Sequence, residues 1–311
     1  MTLVLINTMM CIKQIRESYK NHQIASQLGE FDAMKKEIFR ENVFIITGAS
    51  SGIGEELALQ LADQGAWLTL AARNAEKLQA VAEECIQRGC KAVAIPTDVS
   101  DQSQCKKLID SAIEEYGKID TLINNAGFTV VGKFEDLQTL ELFQRVMNVN
   151  FNGAVQCTYF ALPHLKNTHG RIVNISSFGG IVPLPGNTSY AASKAAMTHF
   201  SDSLRIELQN DQVSVTMIYP ALVVTEFQEN RLEKDGQVRG SDGGSLYTED
   251  TMTADECAEI IIDAAKQRKR EVVMKPGKIS RWIKLISPSL LDKLIIERAE
   301  KIIEREAQKR K

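Results

Sequence analysis

The stretch Val43–Gly54 reads VFIITGASSGIG, an apolar run that gives way to three glycines, Gly48, Gly52 and Gly54. The apolar half suits a strand buried on both faces. Glycine at this density ends the strand in a turn that tolerates positive φ and lets a ligand approach the backbone closely. Helical spacing follows over Glu55–Asp63. Strand, glycine turn and helix in that order put free N–H groups and the positive end of a helix near Gly52, which favours a phosphate. Ser50, Ser51 and Ile53 lie in the same turn and join the glycines as candidate phosphate neighbours. A glycine trio also fits a purely structural turn. The flanking strand and helix, which open a longer series, favour the pyrophosphate of a dinucleotide.

Outward from this turn, short apolar runs recur at Trp67–Leu70, Ala92–Ile95, Thr121–Ile123, Ile172–Ile175, Val213–Ile218 and Glu271–Met274. Segments with helical spacing, such as Ala75–Arg88 and Asp101–Tyr116, separate them. Continuous rather than alternating apolar runs between helices imply parallel βαβ units. The fold class is therefore α/β: a single doubly wound, Rossmann-type domain of about seven parallel strands with helices on both faces. It is expected over residues 42–275, after an N-terminal extension (1–41, with Met34 a second plausible start) and before a helical tail (276–311). The polar, glycine-rich loop Glu229–Thr251 reads as mobile, within a lid expected from Glu226 to about Thr251, and Thr253–Glu256 as a capping box that starts the next helix.

A net charge of −3 over 311 residues gives no global basic field for nucleic acid. The six cysteines form no CxxC pair and the four histidines do not cluster with them, so neither a metal site nor a disulfide framework is expected. Reduced thiols and no secretory leader fit a cytoplasmic protein. In the tail, Leu291, Leu294, Ile295, Ile302 and Ile303 form one helical stripe beside cations such as Lys293 and Arg298. That stripe suits a helix packed on the domain or a partner, or peripheral contact with a membrane.

The glycine spacing is G-x-x-x-G-x-G rather than G-x-G-x-x-G, and here the chain resembles the short-chain dehydrogenase/reductase family, whose hallmark is TGxxxGxG. The resemblance covers roughly Glu41–Met274. The second strand ends Ala71-Ala72-Arg73, without the acid that would hold a ribose 2′-hydroxyl and select NAD. A guanidinium at Arg73 suits a 2′-phosphate, so NADP(H) is expected over NAD(H). By resemblance, Asp98 and Val99 after the third strand meet the adenine. Asn125, Ala126 and Gly127 belong to the family's NNAG motif beside the cofactor, and Pro220, Val223 and Thr225 touch the nicotinamide end. Ala221 stands where the family commonly has glycine.

Tyr190 and Lys194 are four apart, hence on one helix face. A free phenol titrates near 10, too high for an efficient acid or base at neutral pH, and an adjacent ammonium should lower it. Ser177, thirteen residues before Tyr190, matches the family's active serine in spacing and is preferred to Ser176. Its hydroxyl would stabilise oxyanion charge. Asn150 matches the fourth catalytic member, with Asn148 and Asn152 as rivals. The resemblance implies that Tyr190, Lys194 and Ser177 interconvert a carbonyl and a secondary alcohol, with Tyr190 and Lys194 also beside the cofactor. Rival readings are a non-catalytic NADP(H)-binding regulator and an NAD-linked alcohol dehydrogenase. The substrate is expected to be a small, apolar carbonyl compound, lipid- or steroid-like, with sugar and 3-oxoacyl substrates open. The family implies a homodimer or homotetramer formed through the helix of Tyr190.

Overall fold

The computed structural model describes residues 38–238, 251–274 and 277–297. Seven parallel strands form one sheet: β1 (Val43–Thr47), β2 (Trp67–Ala72), β3 (Ala92–Pro96), β4 (Thr121–Asn124), β5 (Arg171–Ile175), β6 (Ser214–Tyr219) and β7 (Glu271–Val273). Their spatial order is β3-β2-β1-β4-β5-β6-β7. Each of the seven expected apolar runs is one of these strands, displaced by at most two residues at either end.

The helices are α1 (Gly52–Ala62), α2 (Ala75–Gln87), α3 (Gln102–Tyr116), α4 (Leu140–Met147), α5 (Gly153–Asn167), α6 (Thr188–Glu207), α7 (Ala254–Lys266) and α8 (Gly277–Ile286). Period-two alternation along β1 decides which helices share a face. Phe44 and Ile46 pack with Leu57 of α1, Leu78 of α2 and Ile261 of α7. Ile45 points the other way, to Leu108 of α3, Leu165 of α5 and Leu204 of α6. All three β1 residues are fully buried, which is why the strand carries no polar alternation. Side-chain caps fix the helix starts: Asn74 accepts from Lys77 N, and Asp101 from Ser103 N and Gln104 N. The capping box at Thr253 and Glu256 is present, with both reciprocal bonds made.

Strand order reverses between β1 and β4, and the crevice outside the carboxyl ends of strands at such a point is where this architecture binds ligands. Two short parallel pairs frame the crevice: Val130–Val131 with Leu232–Glu233, and Val223–Val224 with Met252–Thr253. The first of them orders the beginning of the stretch expected to be a mobile lid, and residues 239–250 lie outside the described residues. The expected N-terminal extension falls outside them up to residue 37, as do Ile302 and Ile303 of the tail stripe. Leu291 is buried and packs with Ile283, Ile295, Val182 and Met217, so this part of the tail seats on the domain. By contrast, α8 leaves Ile279, Trp282, Leu285 and Ile286 largely in solvent.

Candidate active site

The turn after β1 holds Gly48 at φ +67° and Gly52 at φ +58°. A Cβ on Gly48 would stand 2.9 Å from the Ala126 Cα, and one on Gly54 would stand 2.1 Å from the Gly48 carbonyl oxygen. On Gly52 it would press on Thr225 at 3.0 Å. The chain's own atoms therefore already crowd a side chain at each of these three positions, whatever the turn holds. The Asn125 amide donates to the carbonyls of Thr47 (3.0 Å) and Gly48 (3.1 Å), and the N–H groups of Asn125 and Ala126 donate to Thr47 Oγ1. Ser51, the N-cap of α1, makes no side-chain cap bond. Gly48, Ser50, Ser51, Gly52 and Ile53 line the crevice, whereas Gly54 faces Gly48 and does not.

The crevice has a volume of about 1750 Å³ and runs from this turn to β4, β5 and β6. At one end stands Arg73, exposed, immediately after β2. Asp98 and Val99 line the crevice beside it. Asp98 Oδ1 accepts from the N–H (2.9 Å) and hydroxyl (2.7 Å) of Ser100, so this carboxylate also braces the turn before α3. Asn125, Ala126 and Gly127 form the floor below the glycine turn.

At the other end, Tyr190 and Lys194 project from consecutive turns of α6. Lys194 is 4% exposed, and its Nζ donates to the Ile175 carbonyl at 2.8 Å and lies 5.7 Å from the Tyr190 ring centroid. Burial pushes the Lys194 ammonium down to about 8. Burial also pushes the Tyr190 phenol up, against the opposing pull of a hydrogen bond with Ser177. The net direction at Tyr190 is upward because desolvation is the largest influence, and among the protein's own groups only the Ser177 hydrogen bond pulls it down. Ser177 lies at the end of β5, where its Oγ accepts from Gly179 N–H at 3.2 Å and lines the crevice. Ser176 is buried and turned away, donating to the Lys194 carbonyl at 3.2 Å. Ser177 is thus the serine that meets Tyr190.

Asn150 differs from the other candidates. It sits in a π-helical turn (Asn148–Asn152) between α4 and α5, fully buried behind the crevice wall. Its amide exchanges two hydrogen bonds with the backbone of Phe128, both at 2.9 Å, and donates to Ser193 Oγ at 3.1 Å. Asn150 Oδ1 and Lys194 Nζ flank Gly127 so closely that a Cβ there would stand 3.2 Å from the one and 3.5 Å from the other. The two side chains are therefore close neighbours. Pro220, Val223 and Thr225 line the crevice over β6. Ala221, in place of the family's glycine, takes no positive φ, so the departure strains nothing.

Three contributors carry no signal in the sequence. Lys77 of α2 and Glu226 line the crevice and pair at 2.8 Å across 149 residues of chain, and Phe227 lies 5.8 Å, ring to ring, from Tyr190. Only the crossover of the fold brings them together.

Comparison with known proteins agrees with this geometry. The family model described as short chain dehydrogenase matches residues 42–236. The 11-beta-hydroxysteroid dehydrogenase-like 4A of Arabidopsis thaliana is 38% identical over 252 residues, covering 80% of this chain and 82% of that one. The 11-beta-hydroxysteroid dehydrogenase A of Sesamum indicum is 35% identical, with coverages of 80% and 73%. Among solved structures, an alcohol dehydrogenase of the archaeon Thermococcus sibiricus complexed with 5-hydroxy-NADP superposes with a TM-score of 0.67 at 28% identity, covering 76% of this chain and 96% of that one. A short chain dehydrogenase/reductase of Burkholderia phymatum in complex with NAD gives 0.68 at 25% identity, covering 78% and 92%. The chain belongs to the short-chain dehydrogenase/reductase family. It is an oxidoreductase of CH–OH groups that uses a nicotinamide cofactor.

Proposed function

We propose that the protein is an NADP(H)-dependent enzyme interconverting a ketone or aldehyde with a secondary alcohol on an apolar, steroid- or lipid-like substrate. The observation that carries this reading is the convergence of Ser177, Tyr190 and Lys194 on a crevice whose far end holds Arg73 and has alanine, not an acid, at position 72. A dinucleotide suits the residues present: a glycine turn closed to side chains, an α1 whose N-cap serine makes no cap bond, and a guanidinium where a 2′-phosphate would lie. When bound, the nicotinamide carries the hydride.

The protein's own groups handle the proton and the charge. In reduction Tyr190 Oη donates its proton to the carbonyl oxygen, and in oxidation it withdraws a proton from the alcohol. The Ser177 hydroxyl donates to that same oxygen, where negative charge grows, while accepting from Gly179 N–H. Lys194, still cationic at neutral pH with a value near 8, would hold the ribose hydroxyls of the bound cofactor. Asn150 holds Phe128 and Ser193, and through them the floor and the Tyr190 helix, in place.

Apolar walls at Phe128, Val149, Leu184 and Phe227, and the names of the plant relatives, support an apolar substrate. The same reading extends to peripheral membrane contact through the exposed face of α8, since among the described residues no helix is long and apolar enough to cross a membrane. It extends also to homo-oligomers, supported by large exposed side chains at Tyr159 of α5 and Ile206 of α6. Fluorescence titration with NADPH and NADH tests the cofactor, and equal affinities would overturn the NADP(H) preference. A panel of apolar, sugar and acyl carbonyl compounds tests the substrate class. Turnover of the sugars alone would overturn it.

A further inference from the structure

The Lys77–Glu226 pair spans the mouth of the crevice. Lys77 sits in the first turn of α2, four residues after Arg73, and both line the same end of the crevice. Its Nζ donates to both carboxylate oxygens of Glu226, at 2.8 and 3.1 Å. Glu226 directly follows Thr225, whose side chain rests against Gly52 of the glycine turn. Arg73 itself makes no ion pair or hydrogen bond with a described residue. Two cations therefore stand at one mouth, one open and one held by a carboxylate from the opposite wall. Glu55 of α1 and Glu229 add negative charge around Lys77.

We propose, resting on the NADP(H) reading, that Lys77 is a second cation for the ribose phosphate and that Glu226 competes with this phosphate for it. A phosphate monoester carries more charge and more acceptor oxygens than a carboxylate, so Lys77 exchanges its partner when the phosphate arrives. The exchange releases the Glu226 carboxylate from Lys77. Glu226 thus lowers the affinity for the phosphorylated cofactor and leaves that for the unphosphorylated one alone. Both side chains are about half exposed, so the effect shrinks as salt rises.

The test is direct binding of NADPH and NADH, read by cofactor fluorescence at low and physiological salt, with wild type, Lys77→Met, Glu226→Gln and the double variant. Lys77→Met is expected to weaken NADPH by roughly five- to tenfold and to leave NADH within twofold. Glu226→Gln is expected to tighten NADPH about two- to fivefold, again sparing NADH. In the Lys77→Met background Glu226→Gln should do nothing, because its partner is gone. If it still tightens NADPH there, Glu226 acts through the general field and the proposal falls. If Arg73→Ala abolishes the preference for NADPH while Lys77→Met leaves it intact, the proposal falls and the NADP(H) reading stands. If the wild type binds both cofactors equally, both fall.

Discussion

Two ionisable side chains in the crevice carry opposite consequences of the same burial. Tyr190 is pushed up and stays a protonated acid, ready to donate in the direction of reduction. Tyr190→Phe should lower the rate of carbonyl reduction by at least about a hundredfold with little change in NADPH binding, as stopped-flow and equilibrium titration would read. Lys194 is pushed down from its ordinary 10.5 to about 8, so its burial destabilises the fold wherever the unfolded chain is protonated and the folded one must be as well. That penalty is present in full below pH 8 and fades as the pH rises from about 8 towards 10.5. It is worth about 3 kcal/mol at most, before the bond to Ile175 is counted. Lys194→Met should therefore be inactive yet at least as stable as wild type at about pH 7, with its advantage shrinking by about pH 9.5. Thermal unfolding of both proteins across that range measures it, and an advantage that grows with pH would refute the argument.

At the scale of elements, the strand–turn–helix unit opening at Val43 is legible in the sequence because each part obeys a local rule. Continuous apolar burial marks β1, glycine marks the turn, and helical spacing marks α1. The catalytic helix is legible for the same reason, since Tyr190 and Lys194 are one turn apart. Nothing set by distance through space can be read in that way. The Lys77–Glu226 pair, the contact of Gly54 with the Gly48 carbonyl and the burial that raises Tyr190 all depend on segments far apart in the chain or on exact packing. The Tyr190 shift has the opposite sign to the one its sequence neighbour suggests, because sequence shows a nearby charge but not the desolvation around it. The glycine contacts make a prediction of their own. Gly54→Ala should destabilise the protein by about 3 kcal/mol or more, since the new methyl meets a backbone oxygen that cannot rotate away. Gly117→Ala, at φ +75° with open space around it, should cost only about 1–2 kcal/mol. Chemical denaturation of the two variants compares them, and similar losses would count against a steric role for Gly54.

For the whole molecule, the sheet supplies a rigid body and the C-terminal segment an apolar outer face. Trp282 and Ile286 are 66% and 80% exposed on α8, while Leu291 of the same segment is buried. Cosedimentation with phosphatidylcholine vesicles should retain wild type and lose the Trp282→Asp/Ile286→Asp variant, with both showing the same melting temperature. Equal retention would remove α8 from any membrane role.

The glycine turn is closed by the protein itself, tied by Asn125 and by the approach of Gly54 to Gly48, before any cofactor enters. Its order is therefore part of the folding free energy and not of the binding reaction. Amide hydrogen exchange at Ala49, whose N–H donates to the Ala71 carbonyl, should be slow in the free protein and barely slower with NADPH, whereas the amides at the start of α1 should slow only when the cofactor binds. Any entropy lost on binding then falls on the opposite wall, near Glu226 and Phe227. The cofactor docks one end onto a surface that is already set and orders the other as it arrives, so association should be fast and release should follow the motion of that second wall.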